Sequence, residues 1–203
     1  MARPIERADD ELLDAADAVL MREGPAAFTL AKAAEAAGVS AATYIKRFGS
    51  KEQMHVRLSQ RWVASLDERL RDRARPVESP LARLRAVALH SYHDLDHPLT
   101  AHNQVATLAV DLQSDELRGW LHLGWEHVRR HLAEHASAAA ARGELIGAPP
   151  ASQLARIVAA AMEGGCIAWC VHPQGSLIER LDGDLTALLS GWTVAATNAG
   201  VAG

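Results

Sequence analysis

Cysteine is scarce, with two in 203 residues. Cys166 and Cys170 stand one helical turn apart in an apolar stretch, which excludes a disulfide framework and leaves no Cys-x-x-Cys pair. Aromatics are equally thin: two Phe, two Tyr and five Trp. β-Branched residues are few, and no stretch alternates long enough to ask for a strand. No apolar run reaches the ~20 residues of a membrane span. The residues after Met1 lack the charged-then-apolar order of a signal peptide, so the expectation is a cytoplasmic protein with no membrane partner. Catalytic signatures are missing too. There is no Gly-rich phosphate loop, nucleophile elbow or His-Glu-x-x-His, so neither a cofactor nor an enzymatic reaction is expected, and no metal site.

What is present is alanine-rich, and it reads as helix almost throughout. The first helix spans about 8 to 22, with Leu12, Ala16, Val19 and Leu20 on one face and Gly24-Pro25 closing it. Short helices follow at about 30 to 37, capped by Thr29, and from Ser40 to about Phe48. Ser50 with Gln53 forms a capping box for a long helix to about Arg75. Ser79-Pro80 opens the next, at 80 to 95, and others are expected at 99 to 112, 115 to 141, 151 to 170 and 177 to 197. The organisation is an all-α chain: a three-helix head at 1–48 and a larger helical body at 49–203.

The net charge of -4 hides an asymmetry. Residues 38 to 75 hold Lys46, Arg47, Lys51, Arg57, Arg61, Arg69, Arg71, Arg73 and Arg75 against Glu52, Asp67, Glu68 and Asp72, while everything after Arg75 is net acidic. A basic patch on an acidic body suits local phosphate contact, although a solvated Arg-rich helix has the same composition.

Two short helices joined by Gly38-Val39-Ser40 describe a helix-turn-helix. Leu30, Ala33, Ala34 and Ala37 give the first its apolar face, Val39 plugs the corner, and Phe48 returns to the core. The second offers Ala41, Ala42, Thr43, Lys46 and Arg47 in some combination. Short side chains at its start let the backbone approach a major groove. Thr43 suits a thymine methyl or a base acceptor, and Lys46 and Arg47 suit phosphates or guanine edges. A plain three-helix core with a polar surface remains the alternative.

The run from Phe28 to Met54 resembles the DNA-binding signature of the TetR family of bacterial repressors. Thr29, Ala37-Gly38-Val39-Ser40, Thr43, Phe48, Ser50-Lys51-Glu52 and Met54 match its pattern. Tyr44, Ile45 and Arg47 depart from it, standing where the family usually has Leu, Tyr and His. The resemblance implies a homodimer on double-stranded palindromic DNA, held by Thr29, Ser40, Ala41, Ala42, Thr43, Tyr44, Lys46, Arg47 and Lys51. Ile45 removes the usual tyrosine hydroxyl from a phosphate, and Arg47 is positioned to replace it. A helical interaction protein without sequence-specific DNA binding is the competing reading.

Leu154 to Trp192 resembles the family's last two helices, which pair across a two-fold axis. Ile157, Ala161, Gly165, Ala168, Trp169, Leu181, Leu185, Leu188 and Trp192 are the expected dimerisation residues. Gly164, Gly165 and Ala168 permit close helix approach, and the bulky residues supply apolar area. A helix pair buried within one chain would show the same pattern. The resemblance also implies a repressor released by a small apolar or amphipathic effector, with Tyr92, Leu108, Leu112, Trp120 and Trp125 as the expected effector-binding residues. Plain core packing competes for each. His93 with His97, and His127-His131-His135, share helix faces at i,i+4 spacing. A structural role, a ligand contact and a pH or metal response are the readings for them.

Overall fold

The computed structural model describes residues 8–193. Among these, nine α-helices follow in order: α1 Asp9–Ala27, α2 Leu30–Ala37, α3 Ala41–Phe48, α4 Lys51–Ala74, α5 Pro80–Ala88, α6 Pro98–Asp111, α7 Asp115–Ala141, α8 Ala151–Val171 and α9 Leu177–Leu189. The expected caps are where short polar side chains stand before each start. Thr29, Ser40, Ser79 and Ser176 each accept a backbone N–H at 3.2 Å from the third residue on. Ser50 and Gln53 close their reciprocal box at 3.1 Å in both directions.

Three boundaries differ from expectation. Helix α1 continues past Gly24, whose φ of 77° kinks the chain before Pro25 restarts the helical turn. The helix expected at 80 to 95 ends at Ala88, and His90–Leu95 tightens into a 3₁₀ helix. The last helix stops at Leu189, after which the Ile146 N–H donates to Trp192 O at 2.8 Å. Residues 194 to 197, included in that expected helix, lie outside the described residues. One helix also overturns the expected lack of a long apolar run. By length and composition α8 is apolar enough to cross a membrane, with a mean hydropathy of 1.5, and 33% of that window is buried.

The chain divides into two compact units. One gathers the residues up to Leu66 with Asp94–Trp125; the other gathers Asp67–His93 with the residues from Glu126 on. In the first, Leu12, Ala16, Val19, Ala33, Tyr44 and Met54 are wholly buried in one apolar core that joins α1 to α4. Helix α6 packs on α1 in the same unit and turns a line of polar side chains inward. Asn103 Nδ2 donates to Met21 O at 2.8 Å, and the Asn103 side chain fills the place where a Cβ on Gly24 would stand. One and two turns further on, Thr107 Oγ1 and Asp111 Oδ1 are buried without a hydrogen bond, the latter 3.3 Å from His55 Nε2 of α4.

That carboxyl makes a pH prediction. Burial pushes Asp111 up to about 6 and holds His55 below its usual range, so near neutral pH a carboxylate faces a neutral ring. As pH falls through 6, the folded protein takes up this proton before the unfolded chain does, near 3.8, so the residue's penalty is relieved across that window. Asp111→Asn should therefore raise stability by about 1–2 kcal/mol at pH 8, with the gain fading towards pH 4. Urea titrations at both pH values measure it. A destabilised variant at pH 8 would show the carboxylate to be a needed acceptor.

In the second unit, α8 and α9 pair through Leu154, Val158, Met162 and Trp169 on one side and Leu177, Leu181, Leu185 and Leu189 on the other, all buried. The α7 histidines meet α4 here. Asp67 Oδ1 accepts from Arg130 at 2.5 Å and contacts His127 Nδ1 at 2.6 Å and His131 Nε2 at 3.1 Å. His127 above all, with Arg130 and His131, holds the Asp67 carboxyl well below the usual carboxylate range. Among the described residues no cluster of three His, Cys, Asp or Glu is arranged to hold a metal ion. His97, expected to pair with His93, instead caps α6, its Nδ1 accepting from Leu99 N at 3.3 Å.

Candidate nucleic-acid interface

The corner between α2 and α3 is set by Gly38, which takes φ 69° and returns its N–H to Glu35 O at 3.0 Å. Val39 packs on the head core behind it. Ser40 then starts α3, its hydroxyl 2.9 Å from the Thr43 hydroxyl.

Helix α3 has two opposed faces. Tyr44 and Phe48 point inward at i and i+4, their ring centroids 5.5 Å apart. The Tyr44 hydroxyl donates to Leu12 O, and burial pushes it up to about 12, so it stays protonated as the donor. Ala41, Ala42, Ile45, Lys46 and Arg47 are exposed, with Thr43 half-buried at their edge.

The structure thus brings Ser40, Ala41, Ala42, Thr43 and Lys46 together at one end of the head. Thr29 is exposed at the start of α2. Arg47 lies beside them, its guanidinium 2.6 Å from Asp9 Oδ1 in a solvent-exposed pair that contributes little stability. Lys51 Nζ donates to Pro25 O at 2.5 Å and lies 5.8 Å from the centre of the Phe28 ring, which anchors α4 to the α1–α2 turn. Its two remaining protons can still serve a phosphate.

Tyr44 is a correction. Expected on the contact face, it is fully buried, because its hydroxyl finds a carbonyl inside the head and its ring fills the core. The residue missed is Ile45. It is 55% exposed at the centre of the face, one turn beyond Ala41 and Ala42. Hydrophobicity alone sends an isoleucine inward; two signals place it outside, the resemblance that sets it where a tyrosine meets phosphate and the Tyr44–Phe48 spacing, one position out of register with it. Beside the corner, Arg47, Phe48, Gly49, Gln53, Val56, Arg57 and Glu116 line an open groove of about 460 Å³.

The other expected sites are rearranged. Trp169, Leu181 and Leu185 are corrected from dimer face to core of their own chain. Trp169 is buried with Nε1 donating to Gln174 O at 3.3 Å, and both leucines are wholly buried. Gly165 serves that same internal pairing, since a Cβ there would stand 2.6 Å from the Leu181 side chain. Ile157, Ala161, Leu188 and Trp192 are half-buried, and Ala168 is exposed. Of the expected effector residues, Tyr92 is buried in the second unit, its hydroxyl hydrogen-bonded to Glu163, whose carboxyl burial pushes up. Leu108, Leu112, Trp120 and Trp125 belong to the first unit, with Leu112 half-exposed at the end of α6 and the other three half-buried.

Comparison with known proteins agrees with this geometry. Residues 12–58 match the model of bacterial regulatory proteins of the tetR family. No curated protein matches the chain significantly. Among solved structures, a transcriptional regulator from Rhodococcus sp. Rha1 is 22% identical with a TM-score of 0.72, over 93% of this chain and 100% of that one. SmeT, the repressor of the Stenotrophomonas maltophilia multidrug efflux pump SmeDEF, is 21% identical with a TM-score of 0.69, over 94% and 93%. FadR from Bacillus subtilis, solved with stearoyl-CoA, is 19% identical with a TM-score of 0.68, over 91% and 99%. At these identities the likeness is one of fold. The chain therefore has the all-helical architecture of TetR-type regulators, and its residues 12–58 are a helix-turn-helix domain of the TetR family.

Proposed function

We propose that the protein is a cytoplasmic homodimeric repressor that grips a palindromic duplex with two copies of the α2–α3 corner and releases it when a small apolar or amphipathic effector occupies the body. The functional division is a DNA-binding head at 1–48 and an effector-binding and dimerisation body at 49–203. The observation that carries this reading is the outer face of α3. It is short at its start, cationic at Lys46 and Arg47, and free of acidic residues, as close approach to a major groove requires. Thr29, Ser40 and Lys51 hold the head to the backbone, and Arg47 exchanges Asp9 for a phosphate.

The effector class is drawn from the half-buried Trp120 and Trp125 and from FadR, solved with an acyl-CoA. Helix α4 leaves the head and continues unbroken to Ala74, so a ligand favouring one setting of α4 would change the spacing of the heads. The dimer reading draws on the exposed apolar stripe of α8, with Gly164, Ile167, Ala168 and Val171 on one face.

Selection of genomic fragments with the purified protein tests the DNA reading. Enrichment of a palindrome supports it, and recovery of no specific sequence leaves the helical interaction protein. On a selected duplex, Lys46→Ala should lower the slope of log affinity against log salt by about one per head if Lys46 meets phosphate. An unchanged slope with lost discrimination at one base pair would assign Lys46 to a base edge instead.

A further inference from the structure

Ile45 is the unexplained feature of the head. It is 55% exposed on a helix that otherwise shows solvent two alanines and two cations. The fold does not need it there, since Tyr44 and Phe48 already fill the inner side of α3. Its side chain stands on the same face as Ala41 and Ala42, at i+4 and i+3. Those alanines leave nothing longer in front of it, so it is the farthest-reaching apolar group of that face. Lys46 is adjacent in sequence and exposed, and α3 carries no carboxylate. The surface around the isoleucine is therefore complementary to a polyanion.

An aliphatic side chain neither donates nor accepts a hydrogen bond. On the major-groove edges of the base pairs, the one apolar feature is the C5-methyl group of thymine. Building on the DNA-binding reading above, we infer that Ile45 is a specificity-determining residue that selects a thymine in each half-site by packing against its C5-methyl. A neighbouring Ala41 or Ala42 methyl closes the other side of that group, and Lys46 fixes the register.

Deoxyuridine provides the test, because replacing thymidine by deoxyuridine removes the methyl and keeps the pairing, charge and hydrogen-bonding edge. The probe is a duplex selected by the wild-type protein from a random-sequence pool, with each thymine replaced in turn. A replacement in one half-site should weaken wild-type binding about four-fold, the value of one buried methyl, and the same replacement in both halves about fifteen-fold. Ile45→Ala should weaken binding to the thymine duplex by at least that factor and bind the thymine and deoxyuridine duplexes alike. The variant's salt slope should match the wild type, since Ile45 meets no phosphate. The substitution lies on an exposed helical position and introduces a better helix former, and a matching thermal melt shows that the head is intact.

A deoxyuridine penalty that persists unchanged in Ile45→Ala overturns the assignment, as does the lack of a penalty at every thymine. Loss of affinity with a reduced salt slope would place Ile45 against the backbone and also overturn it. If selection yields no specific duplex, the DNA-binding reading fails and this inference with it; a selected duplex indifferent to methyl removal sinks this inference alone.

Discussion

Glutamate at both Ile167 and Val171 should leave the protein a 21.8-kDa monomer, where the wild type should run at twice that mass. Val171 is 82% exposed and Ile167 43%, on a helix whose neighbouring surface positions are Gly164 and Ala168. On α9, Gly183 and Ala187 are also exposed and small. Such a seam admits a second copy at close range, and a helix as apolar as α8 with a third of its most apolar window buried has surface left to cover. A two-fold interface repeats every substitution, so two changes place four carboxylates in it. Between Ala160 and Val171 the sequence offers no cation to pair with them. A cost of about 4 kcal/mol or more follows, a thousand-fold loss in dimer affinity. Light scattering at micromolar concentration measures the mass, and circular dichroism should show unchanged helicity, because both residues face solvent in the single chain. Duplex binding should fall with the dimer, since each head then binds alone. Gly165→Leu is the contrasting variant: it strikes Leu181 of its own chain and should lower the melting temperature. A wild-type protein that already runs as a monomer would end the dimer reading.

That contrast marks what was legible in the sequence. Helix starts were, because a cap is a local event: Thr29, Ser40, Ser50 with Gln53, Ser79 and Ser176 each bond a backbone group three residues away. The corner was legible for the same reason, through Gly38. Faces were harder. A helix as apolar as α8 has more than one apolar side, and periodicity does not say which side meets α9 and which is left over. Hence Gly165, Trp169, Leu181 and Leu185 were assigned outward while the exposed stripe runs through Gly164, Ile167 and Val171. On α3 the difficulty was eight residues of length, where one position of register exchanges the faces. Tyr44 has a polar atom and Ile45 has none, so composition favours Ile45 inside. The hydrogen bond to Leu12, 32 residues away, reverses that order, and no local pattern announces it. His127 and His131 do share a face of α7, but their common partner Asp67 is 60 residues from His127 in sequence, and the break before α6 separates His97 from His93.

Tyr44 therefore separates a core role from a reading role, and two variants should do so with very different magnitudes. The ring is wholly buried against Phe48 and belongs to the same core as Leu12, Val19 and Met54. Tyr44→Ala empties that volume and should cost the head about 3–5 kcal/mol. The head core is small, and four of its thirteen buried residues are alanine, so a loss of this size should unfold it near physiological temperature and abolish duplex binding. Tyr44→Phe keeps the volume and removes only the donor to Leu12 O, at about 0.5–1.5 kcal/mol. The head then melts a few degrees lower, while below that transition its base preferences and salt slope stay those of the wild type, because the hydroxyl never reaches the groove. Thermal melts give the first quantity, and binding to single-base variants of a selected duplex at several salt concentrations gives the second. A Tyr44→Phe protein of unchanged stability that loses discrimination at one base pair would return the hydroxyl to the DNA face. If its discrimination is intact and its stability lowered, the tyrosine is what orients α3, and the reading is left to Ile45 and Lys46 on the opposite side of the helix.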